Sequence, residues 1–224
     1  MPLPAIFAIM ISMSELAAKL ELSIDKGLPG TDIQWEMASS DRKLSGYPRK
    51  KRPGSKLGAV LILLYPANGV ICTLFIQRPV YNGVHSGQIA FPGGKSEKSD
   101  SDLTDTALRE ACEETGICRE LVTVIGTLTP LYIPVSDIEV TPVVGWCRSR
   151  PEIIAQPGEV VSVIEADLKH FLKPETVREK EMDVRDQLLR VKYFDYQGNV
   201  IWGATAMMLY ELLVIIDREA ITFH

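Results

Sequence analysis

Residues 105–117 read DTALREACEETGI, and the spacing of these side chains decides how the surrounding chain is expected to fold. Leu103, Ala107, Leu108 and Ala111 recur at helical intervals, so 103–115 reads as an amphipathic helix, with Gly116 as its stop. Successive helix residues rotate by about 100°. Glu110 and Glu114 therefore stack one turn apart, and Glu113 sits beside them. Like charges at i and i+4 cost roughly a few tenths of a kcal/mol on a bare helix. Two readings account for such a face. One is a solvated acidic surface, the commoner case for the helix taken alone. The other is a hard divalent cation, Mg2+ or Mn2+, which takes oxygen ligands and works with substrate phosphates.

The stretch before the helix, FPGGKSEKSD (91–100), shifts the balance toward the cation. Two glycines after a strand let backbone approach a ligand closely. Gly94-Lys95-Ser96 resembles the end of a phosphate-binding P-loop, but that motif needs a glycine five residues before Gly94, and position 89 is Ile.

Outward from this centre, LGAVLILLYP (57–66) is a continuous apolar run, as in a strand buried on both faces. Residues 67–69 turn it, and 70–78 return as a second strand. Further strands are expected at 88–91, near 121–131, at 138–147 and at 159–164, with a short helix at 166–172. LLRVKYFDY and NVIWG flank Gln197-Gly198 as a hairpin, and 204–216 is a closing helix. Leu16, Leu20 and Ile24 mark an N-terminal helix, and residues 27–56 read as an irregular arm. The expected division is an N-terminal helix and arm over 1–55 and a catalytic domain over 56–224. Strands, helix, strands, helix is the order of an α+β fold, a mixed β-sheet flanked by helices in an α/β/α sandwich.

The 224 residues and 46% hydrophobic content allow one sizeable core. A net charge of −5 carries no nucleic-acid footprint, so nucleic acid is not an expected partner. The apolar first twelve residues are too short to span a bilayer and lack a basic leading region, so no membrane role is expected, and Met13 is a second candidate start beside Met1. Four scattered cysteines without a C-x-x-C suggest neither zinc nor disulfides, which favours a reducing, cytoplasmic setting.

The glycines and the helix together, GG…LREACEETGI, resemble the signature of the Nudix hydrolase family. Arg109, Glu110, Ala111, Glu113, Glu114, Gly116 and Ile117 fill its second half without a miss. In the first half, Asp100 holds the acidic position and eight residues rather than seven separate it from Arg109. RPVYNGVHSGQIAFPGG (78–94) is similar to the extension of the coenzyme A pyrophosphatase branch, with Pro79 and Gly83 where that branch has Ser or Ala and a second Arg. Segments 132–145 and 193–213 also look like that branch, so the resemblance covers about residues 56–216.

The resemblance implies a Nudix-like fold and metal-dependent hydrolysis of a pyrophosphate by water. It implies Mg2+ or Mn2+ held by Glu110 and Glu114, with Glu113 sharing a second ion and the Gly94 carbonyl as a backbone ligand. Arg109 would orient the glutamates, with Asp100 or Glu97 as its partner. Glu113 or Glu159 would take a catalytic part, Glu159 as a fourth ligand or general base, with Glu139 a weaker candidate. Arg78, His85, Gly93 and Lys95 would meet a small nucleotide substrate, coenzyme A-like. The basic run PRKKRPGSK (48–56) reads as a solvated linker or as positive field for a substrate 3′-phosphate. His170 and His224 are assigned nothing. Trp202 and Met207-Met208 read as core, although the helix that Trp202 introduces could meet an anion. Many members of the family are homodimers, so a homodimer is the implied assembly. The alternatives are hydrolysis of ADP-ribose, nucleotide sugars or other dinucleotides, and a Nudix-fold sensor without turnover. Sensors usually have a damaged glutamate set, and here Glu110, Glu113 and Glu114 are all present.

Overall fold

The computed structural model describes residues 12–46, 50–80, 86–184 and 186–219. Its frame is the long strand β1 (Lys56–Ala67), which turns into β2 (Val70–Gln77). The short strands β3 (Ile89–Ala90) and β4 (Gly93–Lys95) lead to helix α4 (Leu103–Thr115). Strands β5 (Thr123–Thr127), β6 (Leu131–Ile133), β7 (Ile138–Trp146) and β8 (Ser162–Asp167) follow. Then come α5 (Leu168–Phe171), β9 (Val177–Asp183), β10 (Leu188–Tyr196), β11 (Asn199–Trp202) and α6 (Gly203–Arg218). Three helices precede β1: α1 (Met13–Lys26), α2 (Thr31–Trp35) and α3 (Ser40–Ser45).

Among the described residues the main sheet runs β3-β2-β1-β7-β5, with β4 also on β1, β6 on β7 and β8 on β2. The β1–β7 pair is parallel and the others are antiparallel, so the sheet is mixed. Period-two alternation explains why β1 is apolar throughout. Ala59, Leu61, Leu63 and Tyr65 pack toward Ala107 and Ala111 of α4. Ile62 and Leu64 share the opposite core with Leu16 and Leu20 of α1 and Leu209, Leu212 and Ile216 of α6. Both faces are covered, so neither set can be polar. Truncating one of these leucines to alanine is worth about 2–5 kcal/mol. The result is the α/β/α sandwich that the element order implied.

The hairpin at Gln197-Gly198 forms with both residues at positive φ, 51° and 83°, the geometry of a tight two-residue turn. Besides the unexpected strand β9, the elements depart from the sequence reading in four places. The strand expected at 88–91 is split by Phe91-Pro92 into β3 and β4, which pair with different neighbours. That expected near 121–131 is two strands, β5 and β6. The strand expected at 159–164 starts three residues later, because 150–161 is a loop docked on the end of α4 through Ile154 N–H to the Thr115 carbonyl (2.8 Å) and Gln156 N–H to the Glu114 carbonyl (3.0 Å). The arm at 27–56, read as irregular, contains α2 and α3. Helices this short do not persist alone. The arm is held by Glu211 of α6, fully buried, which accepts from Gly30 N–H (3.1 Å), Gln34 Nε2 (2.8 Å) and Thr129 N–H (3.2 Å). Its carboxylate also accepts from the Thr129 hydroxyl. Among the described residues, no helix is long and apolar enough to cross a membrane.

Candidate metal and pyrophosphate site

Helix α4 is fixed at both ends by its own sequence. Asp102 caps its start through Asp105 N–H (2.8 Å), and Gly116, at φ 70°, closes it with an N–H to the Cys112 carbonyl (2.8 Å). Its alanines lie flat on β1, which brings the acidic face beside β4. There Gly94 is required: a Cβ on it would sit 2.5 Å from the carboxyl atoms of Glu110. Gly93, at φ 153°, is equally constrained, since a Cβ would meet the Ala59 carbonyl. The glycines are thus the surface against which the glutamates rest.

Glu114 is buried at 4% exposure. It accepts Gly93 N–H at 2.8 Å, and the guanidinium of Arg78 faces it at 3.6 Å. Burial pushes its pKa up to about 7, against the pull of Arg78 and Gly93; nearby Glu110 and Glu159 push the same way as burial. Burial also raises Glu110, with Arg109 opposing. Glu113 is more exposed. Arg109 joins the set: its Nη1 reaches Glu110 at 3.2 Å and Glu113 at 3.1 Å. The same guanidinium clasps Asp100 in two bonds, 2.8 and 3.1 Å, and donates to the Lys95 carbonyl at 3.0 Å. Those bonds hold the Asp100 carboxyl well below the usual carboxylate range. Of the two expected partners Arg109 therefore takes Asp100, while Glu97 lends only its N–H to Asp100 (2.9 Å).

Among the described residues no group of three His, Cys, Asp or Glu side chains is already arranged to hold a metal ion. Arg109 and Arg78 occupy the carboxylates instead. The donor chemistry nonetheless fits a hard cation. Three carboxylates converge from one helix against a glycine turn; besides burial, the field of Glu113 raises Glu110 and that of Glu110 raises Glu114. The register supplies a further oxygen. Leu61 N–H bonds to Pro92 O and Ser96 N–H to Leu57 O, so the alternation makes Ala59–Gly94 a hydrogen-bonded pair. A carbonyl has two lone pairs, which leaves one at Gly94 for a ligand.

Arg78 donates to the Gly93 carbonyl at 2.7 Å, so it braces the glycine turn rather than reaching away from it. Lys95 is exposed on β4. Glu159 stands on the 150–161 loop, near enough to act on Glu114 through its field. Glu139 is ion-paired with Lys51 of the basic run at 3.1 Å. The imidazole of His170 is bonded to the Asp195 carbonyl and packs edge-on to Phe171 and Tyr196. His85, Gly83, Arg49 and His224 lie outside the described residues.

Beside the glycine turn opens a cleft of about 530 Å3. Arg78, Gly93, Gly94 and Lys95 line one part of it, together with Val60, Ile138 and Val140. Trp202 and Met208 line it too, so these residues are not core alone. A second wall consists of Ser39, which precedes α3, and Asp41 and Arg42 from α3, with Gln187 and Leu189 from the β9–β10 hairpin. Sequence reading missed this wall. No local pattern marks it, because its parts are about 150 residues apart and meet only through packing such as Arg190 N–H to Ser40 Oγ (3.1 Å).

The sequence profile of the NUDIX domain matches residues 55–190, more than half of the chain. The chain is 37% identical over 197 residues to Nudix hydrolase 15, mitochondrial, of Arabidopsis thaliana, covering 84% of this chain and 68% of that protein. It is 36% identical to Nudix hydrolase 22, chloroplastic, of the same plant, and spans 60% of that protein's length. It is also 37% identical to the uncharacterized Nudix hydrolase NudL of Photorhabdus laumondii, over 74% of this chain and 87% of that one. Among solved structures, the Nudix hydrolase RenU of M. smegmatis superposes with a TM-score of 0.51 at 15% identity, over 76% of this chain and 89% of that one, which is a likeness of fold. With the fold, the glycine turn and the glutamate helix in place, the chain belongs to the Nudix hydrolase family, as a pyrophosphohydrolase acting on a nucleotide-type substrate.

Proposed function

We propose that the chain cleaves the pyrophosphate of coenzyme A or an acyl-coenzyme A to 3′,5′-ADP and 4′-phosphopantetheine or its acyl form, using Mg2+ or Mn2+. The observation that carries this reading is how the 78–94 extension is built into the site. Arg78 at its start bonds the Gly93 carbonyl near its end and faces Glu114. The branch-specific segment and the glutamate helix thus act as one unit, and a largely apolar cleft opens from that unit. A cleft of this size suits one arm of a long substrate.

Glu110 and Glu114, with Glu113 and the Gly94 carbonyl, would hold the cation. When bound, it would neutralise charge on the non-bridging oxygens and acidify the attacking water. The chain's own residues do the rest. Arg109, anchored on Asp100, keeps Glu110 and Glu113 together between turnovers. Arg78 holds the Gly93–Gly94 turn against the substrate phosphates. As water forms its bond to one phosphorus, the bridging P–O bond breaks and the leaving phosphate carries off that electron pair. The water proton passes to a carboxylate. We assign that role to Glu159, because Glu113 is tied to Arg109 and Glu159 approaches from a separate loop. Glu159→Gln should then cut kcat by about ten- to a thousand-fold, with KM little changed.

The test is incubation of the purified chain with coenzyme A and either metal, reading products by mass. Appearance of 3′,5′-ADP and 4′-phosphopantetheine is the expected result. Efficient cleavage of ADP-ribose or a nucleotide sugar with coenzyme A untouched would overturn the substrate and leave the family chemistry standing.

A further inference from the structure

The four cysteines stand far apart in the sequence, yet the fold brings two of them to one turn. Cys72 and Cys147 are buried, whereas Cys112 is half-buried on α4 and Cys118 is exposed just beyond it. Gly116 ties the pair together. Its N–H donates to the Cys112 carbonyl at 2.8 Å, and its carbonyl meets the Cys118 thiol at 3.8 Å. Across this cap the two thiols lie close enough to act on each other. The same cap seats the 150–161 loop. Ile154 and Gln156 donate to the Thr115 and Glu114 carbonyls, and a Cβ on Gly116 would stand 3.2 Å from the Ile154 Cβ. The loop that carries Glu159 therefore rests on the residues between the two cysteines.

We propose that Cys112 and Cys118 form a reversible disulfide that switches turnover by moving this seat. The oxidant is a peroxide. The exposed Cys118 sulfur bonds to one peroxide oxygen, the O–O bond breaks, and the departing hydroxide takes the thiol proton as water, which leaves a sulfenic acid. The Cys112 sulfur then bonds to the Cys118 sulfur as the S–O bond breaks, and that hydroxide takes the Cys112 proton as a second water. Two thiols are oxidised to one disulfide and the peroxide is reduced to two waters. A dithiol reverses the step by exchange. Transient pairs of this kind are the usual form of a disulfide in a reducing setting.

An S–S bond of about 2.05 Å is shorter than a contact between two thiols, so closing it draws the chain after Gly116 toward α4. That chain cannot move alone, because Ile154 is bonded to Thr115 and packed on Gly116. A displacement of about 1 Å in a residue that handles the reacting water can cost about a hundred-fold in rate. The effect on rate rests on the reading of Glu159 as proton acceptor, and the formation of the disulfide does not.

The test treats the full chain with hydrogen peroxide and divides the sample. Trypsin without reductant should release the 110–119 peptide lighter by two hydrogens, with both cysteines closed to alkylation. Amide exchange at Ile154 and Gln156 should be faster by roughly ten-fold. With Mg2+, kcat for coenzyme A should fall by about five- to fifty-fold and return on adding dithiothreitol. Cys112→Ala and Cys118→Ser should keep the native kcat before treatment and lose the response to peroxide. Absence of the lighter peptide overturns the proposal. So does a closed disulfide that leaves kcat and amide exchange unchanged, or an equal loss of activity in the two variants. If the untreated chain does not cleave coenzyme A, the substrate reading falls, and the lighter peptide with its faster exchange decides the switch alone.

Discussion

The two sides of the site are built in opposite ways. On the α4 side, Asp100, Arg109, Glu110, Glu113 and Glu114 span fifteen residues and meet through one helix and one turn. On the α6 side, the cleft walls come from residues 39–42, 133–140, 184–189 and 202–208, which meet only when the arm docks. The first arrangement suits chemistry, where carboxylates must hold their spacing. The second suits substrate choice, since the arm and the hairpin can vary without moving the glutamates. Changes on the α4 side should therefore act on kcat and changes on the α6 side on KM.

The largest effect is expected at the glutamates. Glu110→Gln or Glu114→Gln should lower kcat by two or more orders of magnitude with the fold intact, since each removes a charge that a cation needs. Circular dichroism beside the assay checks this. Near-normal turnover of either variant in Mg2+ would take that residue out of the ligand set.

Next comes the pH dependence of the metal-free chain. Glu114 has a folded pKa of about 7 against 4.5 when unfolded. Between those values the folded chain keeps a proton that the unfolded chain has lost. The contribution of Glu114 to stability is therefore full below pH 4.5 and is lost as pH rises through 7. With chelator present, the native Tm should fall between pH 4.5 and 7.5 by roughly 5–10 °C more than that of Glu114→Gln. Equal slopes would mean that the carboxylate is better solvated than its burial implies.

The arm side gives a smaller effect of a different kind. Glu211→Ala strips the acceptor from Gly30, Gln34 and Thr129. Unpaired buried donors cost about 1–3 kcal/mol each unless water enters, so a Tm loss of several degrees is expected. KM should rise several-fold as the docked arm that lines the cleft loosens, while kcat stays within about two-fold. An equal fall in kcat would show that the arm supports the chemistry as well.

What was legible in the sequence follows the same division. The helix at 103–115 and the strand at 57–66 show themselves because their periodicities are local and their burial is one-sided or complete. The Gln197-Gly198 turn shows itself because positive φ restricts composition. The short helices α2 and α3 do not, since tertiary bonds to Glu211 and Arg190 make them rather than propensity. Strand β9, VREKEMD, is invisible for another reason: most of it faces solvent, so it has no apolar alternation to read. The glutamates and glycines of the candidate site could be named from spacing. The cleft lining at Ser39, Asp41 and Arg42 could not, because nothing near it in sequence distinguishes it from any other short polar stretch.

The smallest effect should come from Cys112, and it tests whether the α4 side is a single face. Cys112 lies between Ala111 and Glu113, one residue from the glutamate set. One residue is about 100° of helix rotation, which points its thiol away from Glu110 and Glu114. Partial burial raises its pKa, with the neighbouring Cys118 adding to the shift, so it stays a thiol at neutral pH and offers a cation no charge. Alanine is also the better helix former. Cys112→Ala should leave kcat and KM within about two-fold and Tm within a degree or two. Kinetics and a thermal melt on the same preparation decide it. A large loss of kcat would mean that the far side of α4 couples to the glutamates, and the boundary between chemistry and support would have to be redrawn around the whole helix.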